Sequence, residues 1–275
     1  MSVEENKTFH DQITRGIKIL PGQWRPNFSS EQIAWISPPW QSQRPEYGQE
    51  FLYLDFPETI KIGKTLVYLS HVHPRFPAVY NYNLAKVNWK TGKDQLSYQR
   101  KLPNGLSFDG SVTVRDTAFV ELKLGITNNT GRDLDSILLQ TCAFLNPIHE
   151  FSGATDSNKF VFIKDRGWTS FAMAGTINPG SGKYFFGWLG GIKNIELPFV
   201  LLKSKSADHY VVFSWLENSY SFIGNANHPC FHSDPWFPDV KNKTREEIKG
   251  FLWFYKGDLS SLEKDLRKRF PQFYP

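Results

Sequence analysis

Histidine is scarce in this 275-residue chain, seven in all, and four of the seven fall in two short segments. The first is Ser70-His71-Val72-His73-Pro74-Arg75, and the second is Asn227-His228-Pro229-Cys230-Phe231-His232-Ser233-Asp234-Pro235. In extended backbone alternate side chains share a face, so His71 and His73 point the same way. His228 and His232 flank Cys230, with Asp234 two residues further on and prolines stiffening what reads as a loop. Three chemistries suit these residues. The first is acid–base work on a sugar: His71 or His232 moves protons, Asp234 orients the imidazole or acts as base, and Arg75 stabilises developing negative charge. The second is a metal site, zinc for example, built from imidazoles with Cys230 or Asp234, although the spacing matches no standard finger. The third is structural, with polar side chains satisfying the backbone of proline-rich turns. Two groups holding this much of the histidine, at strand ends, favour a functional site, and acid–base chemistry is the expectation.

Aromatic residues supply the second clue. Phe, Trp and Tyr number 23, 9 and 11, and most of these rings belong in a core. Trp40 and Trp236 stand apart because neighbouring prolines hold their segments extended. Tyr80 lies in the alternating Tyr80-Asn81-Tyr82-Asn83. Flat rings with polar edges suit sugar rings, so Trp40, Tyr80 and Trp236, with His73 and His228, are expected to line a binding surface.

The elements that must hold these residues read as strands nearly throughout. Apolar residues alternate along Phe119–Ile126, and Asn128-Asn129-Thr130-Gly131-Arg132-Asp133 supplies turn chemistry. A return strand over Leu134–Leu145 then predicts a hairpin. Further strands are expected at residues 50–56, 65–70, 78–87, 111–115, 159–163, 184–189, 199–203, 209–215 and 250–255, punctuated by turns such as Pro103-Asn104-Gly105. Many short strands with aromatics at 16% of residues predict an antiparallel sandwich, not alternating β–α units. One helix is expected at the C-terminus, capped by Asp258 or Ser260, with Leu259, Leu262, Leu266 and Phe270 on one face. The first 48 residues are rich in Pro, Gln, Ser and Trp and read as an irregular segment packed on a single domain spanning 1–275.

The stretch from Gly125 to Asn146, with Thr127-Asn128-Asn129-Thr130 at its turn and Leu138-Leu139-Gln140-Thr141-Cys142 on its return, resembles the central hairpin of galactose-mutarotase-like β-supersandwich proteins. The layout of the Ser37-Pro38-Pro39-Trp40 segment, the Ser70-His71 group and the 228–235 loop also looks like a group of bacterial carbohydrate-associated proteins. That resemblance implies an all-β antiparallel supersandwich with a concave, sugar-binding sheet. It further implies a carbohydrate ligand and, as activity, a sugar isomerase, epimerase or lyase. The family's histidine near the end of the return strand has no counterpart in Gln140-Thr141-Cys142, so Gln140 takes the cleft position there, with its amide facing sugar hydroxyls. Two other readings remain open: a carbohydrate-binding module without catalysis, and a metal-dependent enzyme on a β-sandwich scaffold.

Composition removes several classes. The 32 basic residues exceed the 27 acidic ones by five, but residues 241–270 hold nine basic and five acidic of these, leaving 23 against 22 elsewhere. The excess belongs to the predicted helix and its approach, where cations favour the negative end of the helix dipole, so no nucleic-acid partner is expected. No apolar run is long enough for a transmembrane helix, and the N-terminus carries no signal-peptide pattern, so the expectation is a cytoplasmic protein away from membranes. Cys142 and Cys230 alone fit a reducing compartment, with one disulfide left open by counting.

Overall fold

The computed structural model describes residues 16–23, 31–40, 50–69, 86–177, 180–188 and 191–274. Strands dominate and form two stacked sheets. The first sheet runs β11 (Gly167–Ser170), β10 (Lys159–Ile163), β13 (Ile192–Lys203), β14 (His209–Ser214), β17 (Arg245–Lys256), β8 (Phe119–Asn128), β7 (Leu106–Val114), β6 (Gln95–Lys101) and β5 (Lys90–Thr91), every neighbouring pair antiparallel. The second runs β1 (Ile19–Gly22), β2 (Ile33–Ile36), β3 (Leu52–Ile62), β9 (Ile137–Phe144), β16 (Cys230–Phe237) and β15 (Ser219–Gly224), with β4 (Thr65–Tyr68) on the far half of β3. β12 (Tyr184–Phe186) joins the sheets, pairing antiparallel with β13 and parallel with β15. The expected antiparallel β-sandwich with a short C-terminal helix is what the chain forms. Among the described residues no helix is long and apolar enough to cross a membrane.

Period-two alternation decides which way each strand faces. Leu54, Phe56 and Ile60 of β3, Ile137, Leu139 and Ala143 of β9 and Phe231 of β16 turn inward, meeting Phe108, Leu122, Leu124, Phe213 and Leu252 of the first sheet. On the outer face of the first sheet, Phe199, Leu201, Tyr210, Val212, Phe251 and Trp253 form a second apolar layer under the C-terminal helix. That helix, α1 (Leu259–Arg269), buries Leu262 and Leu266 there, and Asp258 caps it by accepting from the Ser261 N–H at 2.7 Å. Of the two expected caps it is Asp258 that closes the first turn.

Three sequence expectations change. β8 and β9 exist where expected but do not form a hairpin: β8 lies between β7 and β17 in the first sheet, and β9 between β3 and β16 in the second. The turn instead crosses between sheets, held by Asn128, whose amide donates to the carbonyls of Arg132 and Val240, and by the Leu134–Val240 bridge. The segment read as a histidine loop, 228–235, is largely the strand β16, because Pro235 pairs with Ser219 where β15 shifts register. Within the N-terminal segment read as irregular, β1 and β2 add to the second sheet.

Candidate functional site

The outer face of the second sheet carries the chemistry. Residues paired directly across antiparallel strands share a face, and here two such rows run side by side. One row is Leu20, Trp35, Tyr53, Phe144 and Cys230, from β1, β2, β3, β9 and β16 in turn. The next is Asp55, Cys142 and His232, from β3, β9 and β16. Successive rows lie about 7 Å apart, twice the rise per residue of a strand.

The first row is aromatic. Trp35 and Tyr53 stack with centroids 5.4 Å apart, Tyr53 and Phe144 lie 6.1 Å apart, and His228 stacks on Phe144 at 4.7 Å. Beyond Trp35 a cavity of about 250 Å³ opens between Trp35, Trp89, Glu31 and Lys86.

The second row is ionisable and buried, with Asp55 3%, Cys142 3% and His232 6% exposed, and Asp234, two residues beyond His232 on β16, is 0% exposed. The Cys230 Sγ lies 3.2 Å from His232 Nε2, and the Cys142 Sγ lies within 4.8 Å of both residues' donor atoms. His232 Nδ1, on the other side of the ring, faces Asp234 Oδ1 at 3.7 Å and Glu58 Oε2 at 3.9 Å. Glu58 reaches this position through a bulge, because Phe56, Pro57 and Glu58 all stand opposite Thr141 alone between the pairs Asp55–Cys142 and Thr59–Gln140. Extra residues in one strand re-aim side chains, and here they swing a carboxylate toward the imidazole. Asp234 is fixed by the Thr141 N–H, which donates to its Oδ1 at 3.1 Å in place of a ladder partner.

Burial tunes this group. It pushes Glu58 up to about 8, against the lowering effect of His232. Asp234 is raised by burial, its bonds to His232 and Thr141 only partly opposing it. The hydrogen bond between the thiols splits them, lowering Cys230 and raising Cys142. Burial disfavours a charged His232, yet Cys230 and Asp234 together carry it upward.

Of the residues expected from sequence, Gln140, His228, His232, Asp234 and Trp236 lie on β9, on β16 or just before it. Gln140 Oε1 accepts from the Thr59 hydroxyl at 3.5 Å, and Trp236 is 40% exposed with its ring 5.2 Å from Tyr220. Trp40 is held elsewhere: its ring stacks on His209 of β14 at 4.2 Å and its indole N–H donates to Glu150. His71, His73, Arg75 and Tyr80 lie outside the described residues. Sequence reasoning did not single out Asp55, Glu58, Tyr53 or Phe144, and it discussed Cys142 only as a possible disulfide partner. A carboxylate inside the apolar run Leu52–Phe56 was the one visible signal.

No family model and no curated protein matches the chain. Among solved structures it is similar to a GalM/aldose epimerase homologue from C. elegans (11% identity over 89% of this chain and 97% of that one, TM-score 0.45). It is similar too to a galactose mutarotase related enzyme from Lactobacillus acidophilus (10% identity, 84% and 96%, TM-score 0.41). A heparan sulfate lyase from Pedobacter heparinus also matches, at 11% identity over 83% of this chain and 34% of that one, with TM-score 0.37. Identities near one tenth say nothing of a shared reaction.

Proposed function

We propose that the protein binds a sugar or sugar acid on the outer face of the β3–β9–β16 sheet and moves a proton on it, as an isomerase, epimerase or lyase would. The observation that supports this is the adjacency of the two rows: a run of stacked rings beside a buried run of ionisable groups. A pyranose laid against Tyr53 and Phe144 presents its edge, and so its hydroxyls and ring C–H bonds, to the neighbouring row. There His232 Nδ1 faces the carboxylates of Asp234 and Glu58 at 3.7 and 3.9 Å, so that a short side-chain movement would let a proton pass between them. Gln140, one residue pair further along β9, offers its amide to a hydroxyl. Arg75 and His71 are candidates for the remaining charge stabilisation, and Trp236 and Tyr80 for further contact with the sugar.

The test is a panel of aldoses, ketoses and uronic acids incubated with the protein in deuterated buffer and followed by proton NMR. Loss of a C–H signal, accelerated anomeric exchange or a new unsaturated product supports the reading. Sugar binding without turnover in any of these assays reduces the protein to a carbohydrate-binding module, and no binding across the panel removes the reading altogether.

A further inference from the structure

We infer that Cys142, Cys230 and His232 form a binding site for a thiophilic divalent cation, zinc first, with the paired carboxylates of Asp234 and Glu58 behind the imidazole. The site is assembled from two strands: Cys142 and His232 are a direct cross-strand pair of β9 and β16, and Cys230 precedes His232 by two residues on the same face. One donor atom from each of the three residues lies within 4.8 Å of the others, and all three residues are buried. Zinc binds sulfur at about 2.3 Å and imidazole nitrogen at about 2.0 Å, so tetrahedral coordination asks for donors roughly 3.5–3.8 Å apart. Side-chain adjustments well under 1 Å bring the Cys230 Sγ to His232 Nε2 contact, at 3.2 Å, to that spacing.

An independent observation lies on the far side of the ring. His232 Nδ1 and Asp234 Oδ2 are buried and have no hydrogen-bond partner, and the Nδ1 is aimed at two carboxylates 3.7 and 3.9 Å away. An imidazole that ligates through one nitrogen and offers the other N–H to a carboxylate is how metal-bound histidine is ordinarily oriented. Metal on Nε2 fixes the tautomer with the proton on Nδ1, which draws that N–H toward Asp234 and Glu58 and gives the imidazole nitrogen the acceptor it lacks. Two thiolates and one imidazole select zinc over calcium or magnesium, which take oxygen donors. Three protein donors leave a fourth position for water or for an oxygen of the ligand, the arrangement of a site that does chemistry. A cation there would polarise a bound carbonyl or hydroxyl.

The inference does not need the ligand to be a sugar, and its test is separate from sugar turnover. The full-length protein, purified under reducing conditions and stripped with a chelator, is titrated with cobalt(II) and followed by absorption. One equivalent per chain, with thiolate-to-cobalt charge transfer in the near ultraviolet and intense tetrahedral bands in the visible, is expected, and zinc should displace the cobalt. Cys230→Ser and His232→Gln should lose the charge-transfer or tetrahedral signature. Asp234→Asn, behind the ring, should keep the spectrum while weakening zinc ~10- to 100-fold. Circular dichroism of each variant separates loss of the site from loss of the fold. A wild-type protein that gives no cobalt–thiolate absorption, or whose two cysteines prove to be joined as a disulfide in the reduced preparation, overturns the inference. Cobalt uptake without any sugar binding would leave it standing and sink the sugar reading instead.

Discussion

Thr141 holds the candidate site to the core. Its N–H donates to Asp234, its hydroxyl donates to the Ser233 carbonyl, and the same hydroxyl accepts from the indole N–H of Trp215, a fully buried ring, at 2.9 Å. Thr141→Val keeps the shape and removes the acceptor, leaving a buried indole N–H with no partner. Such an orphan costs about 1–3 kcal/mol, so urea denaturation should show a lower midpoint at unchanged slope. Trp215→Phe in the Thr141→Val background should then cost less than the same change in the wild type, because the orphan is already made. On the aromatic row, Tyr53→Ala should weaken sugar binding about tenfold, the equivalent of ~1.4 kcal/mol of ring contact, with little change in thermal stability. Unaltered affinity by calorimetry would detach the row from the ligand. At this scale the sequence was partly legible. His232 and Asp234 could be picked out because residue type and local spacing mark them, and Gln140 only through the resemblance of its strand to mutarotase-like proteins. Asp55 and Glu58 could not, since what makes them part of a site is a register across to β9, more than 80 residues away in the chain.

Strands carry residues to the site in ways that local chemistry does not announce. The 228–235 segment, with its two prolines, looks like a loop, but a proline within a strand is tolerated beside an irregular pairing, and Pro235 stands where β15 slips. The alternation then puts Cys230, His232 and Asp234 on one face and Phe231 and Ser233 on the other. The turn after β8 was legible as a turn, but not its destination: Asn and Gly permit a reversal, while the sheet a chain returns to depends on partners distant in sequence. The C-terminal helix was the most legible element because cap and apolar stripe are both local. Hydrogen bonding from the Ser261 N–H holds the Asp258 carboxyl below the ordinary aspartate value of 3.8. A depressed folded value means that the cap's contribution is fully present above the unfolded value and fades as pH falls through the folded one. Asp258→Ala should therefore melt lower than wild type at neutral pH, with the two curves converging at strongly acidic pH. A gap in melting temperature that persists unchanged into strong acid would show that the carboxylate charge is not what the helix uses.

Over the whole molecule, apolar surface is layered: the central core between the sheets, and a second layer between the first sheet and α1. Leu266→Ala, at 0% exposure in that second layer, should cost about 2–5 kcal/mol, measured by chemical denaturation. Four of the nine basic residues between 241 and 270 are engaged within the fold. Lys241 meets Asp133 at 3.0 Å, Arg245 meets Asp109 at 2.7 Å, Arg267 meets Glu263 at 2.8 Å, and the Arg269 guanidinium lies over the Phe119 ring at 3.7 Å. Exposed pairs of this kind add little stability, but they leave no cluster of bare cations at these four positions. The net charge was readable from the sequence. Its neutralisation was not, because three of these four partners come from strands or loops over 100 residues earlier.

The three residues of β12 give the sandwich a spine. Because Phe185 and Phe186 are bonded to Ser221 and Phe222 on one side and to Lys193 and Ile192 on the other, the two sheets are one continuous hydrogen-bonded ribbon folded at that strand. Sheets joined this way cannot slide over one another as separate leaves; any breathing of the molecule is a hinged splaying, least at β12 and greatest at the margin farthest from it. β16 lies two strands from this spine, with β15 between, whereas Trp35 on β2 lies three strands further out. A ligand spanning both rows would thus have a fixed end at His232 and an adjustable end at Trp35, so differences in ligand size would be absorbed at the aromatic end while the reacting end keeps its geometry.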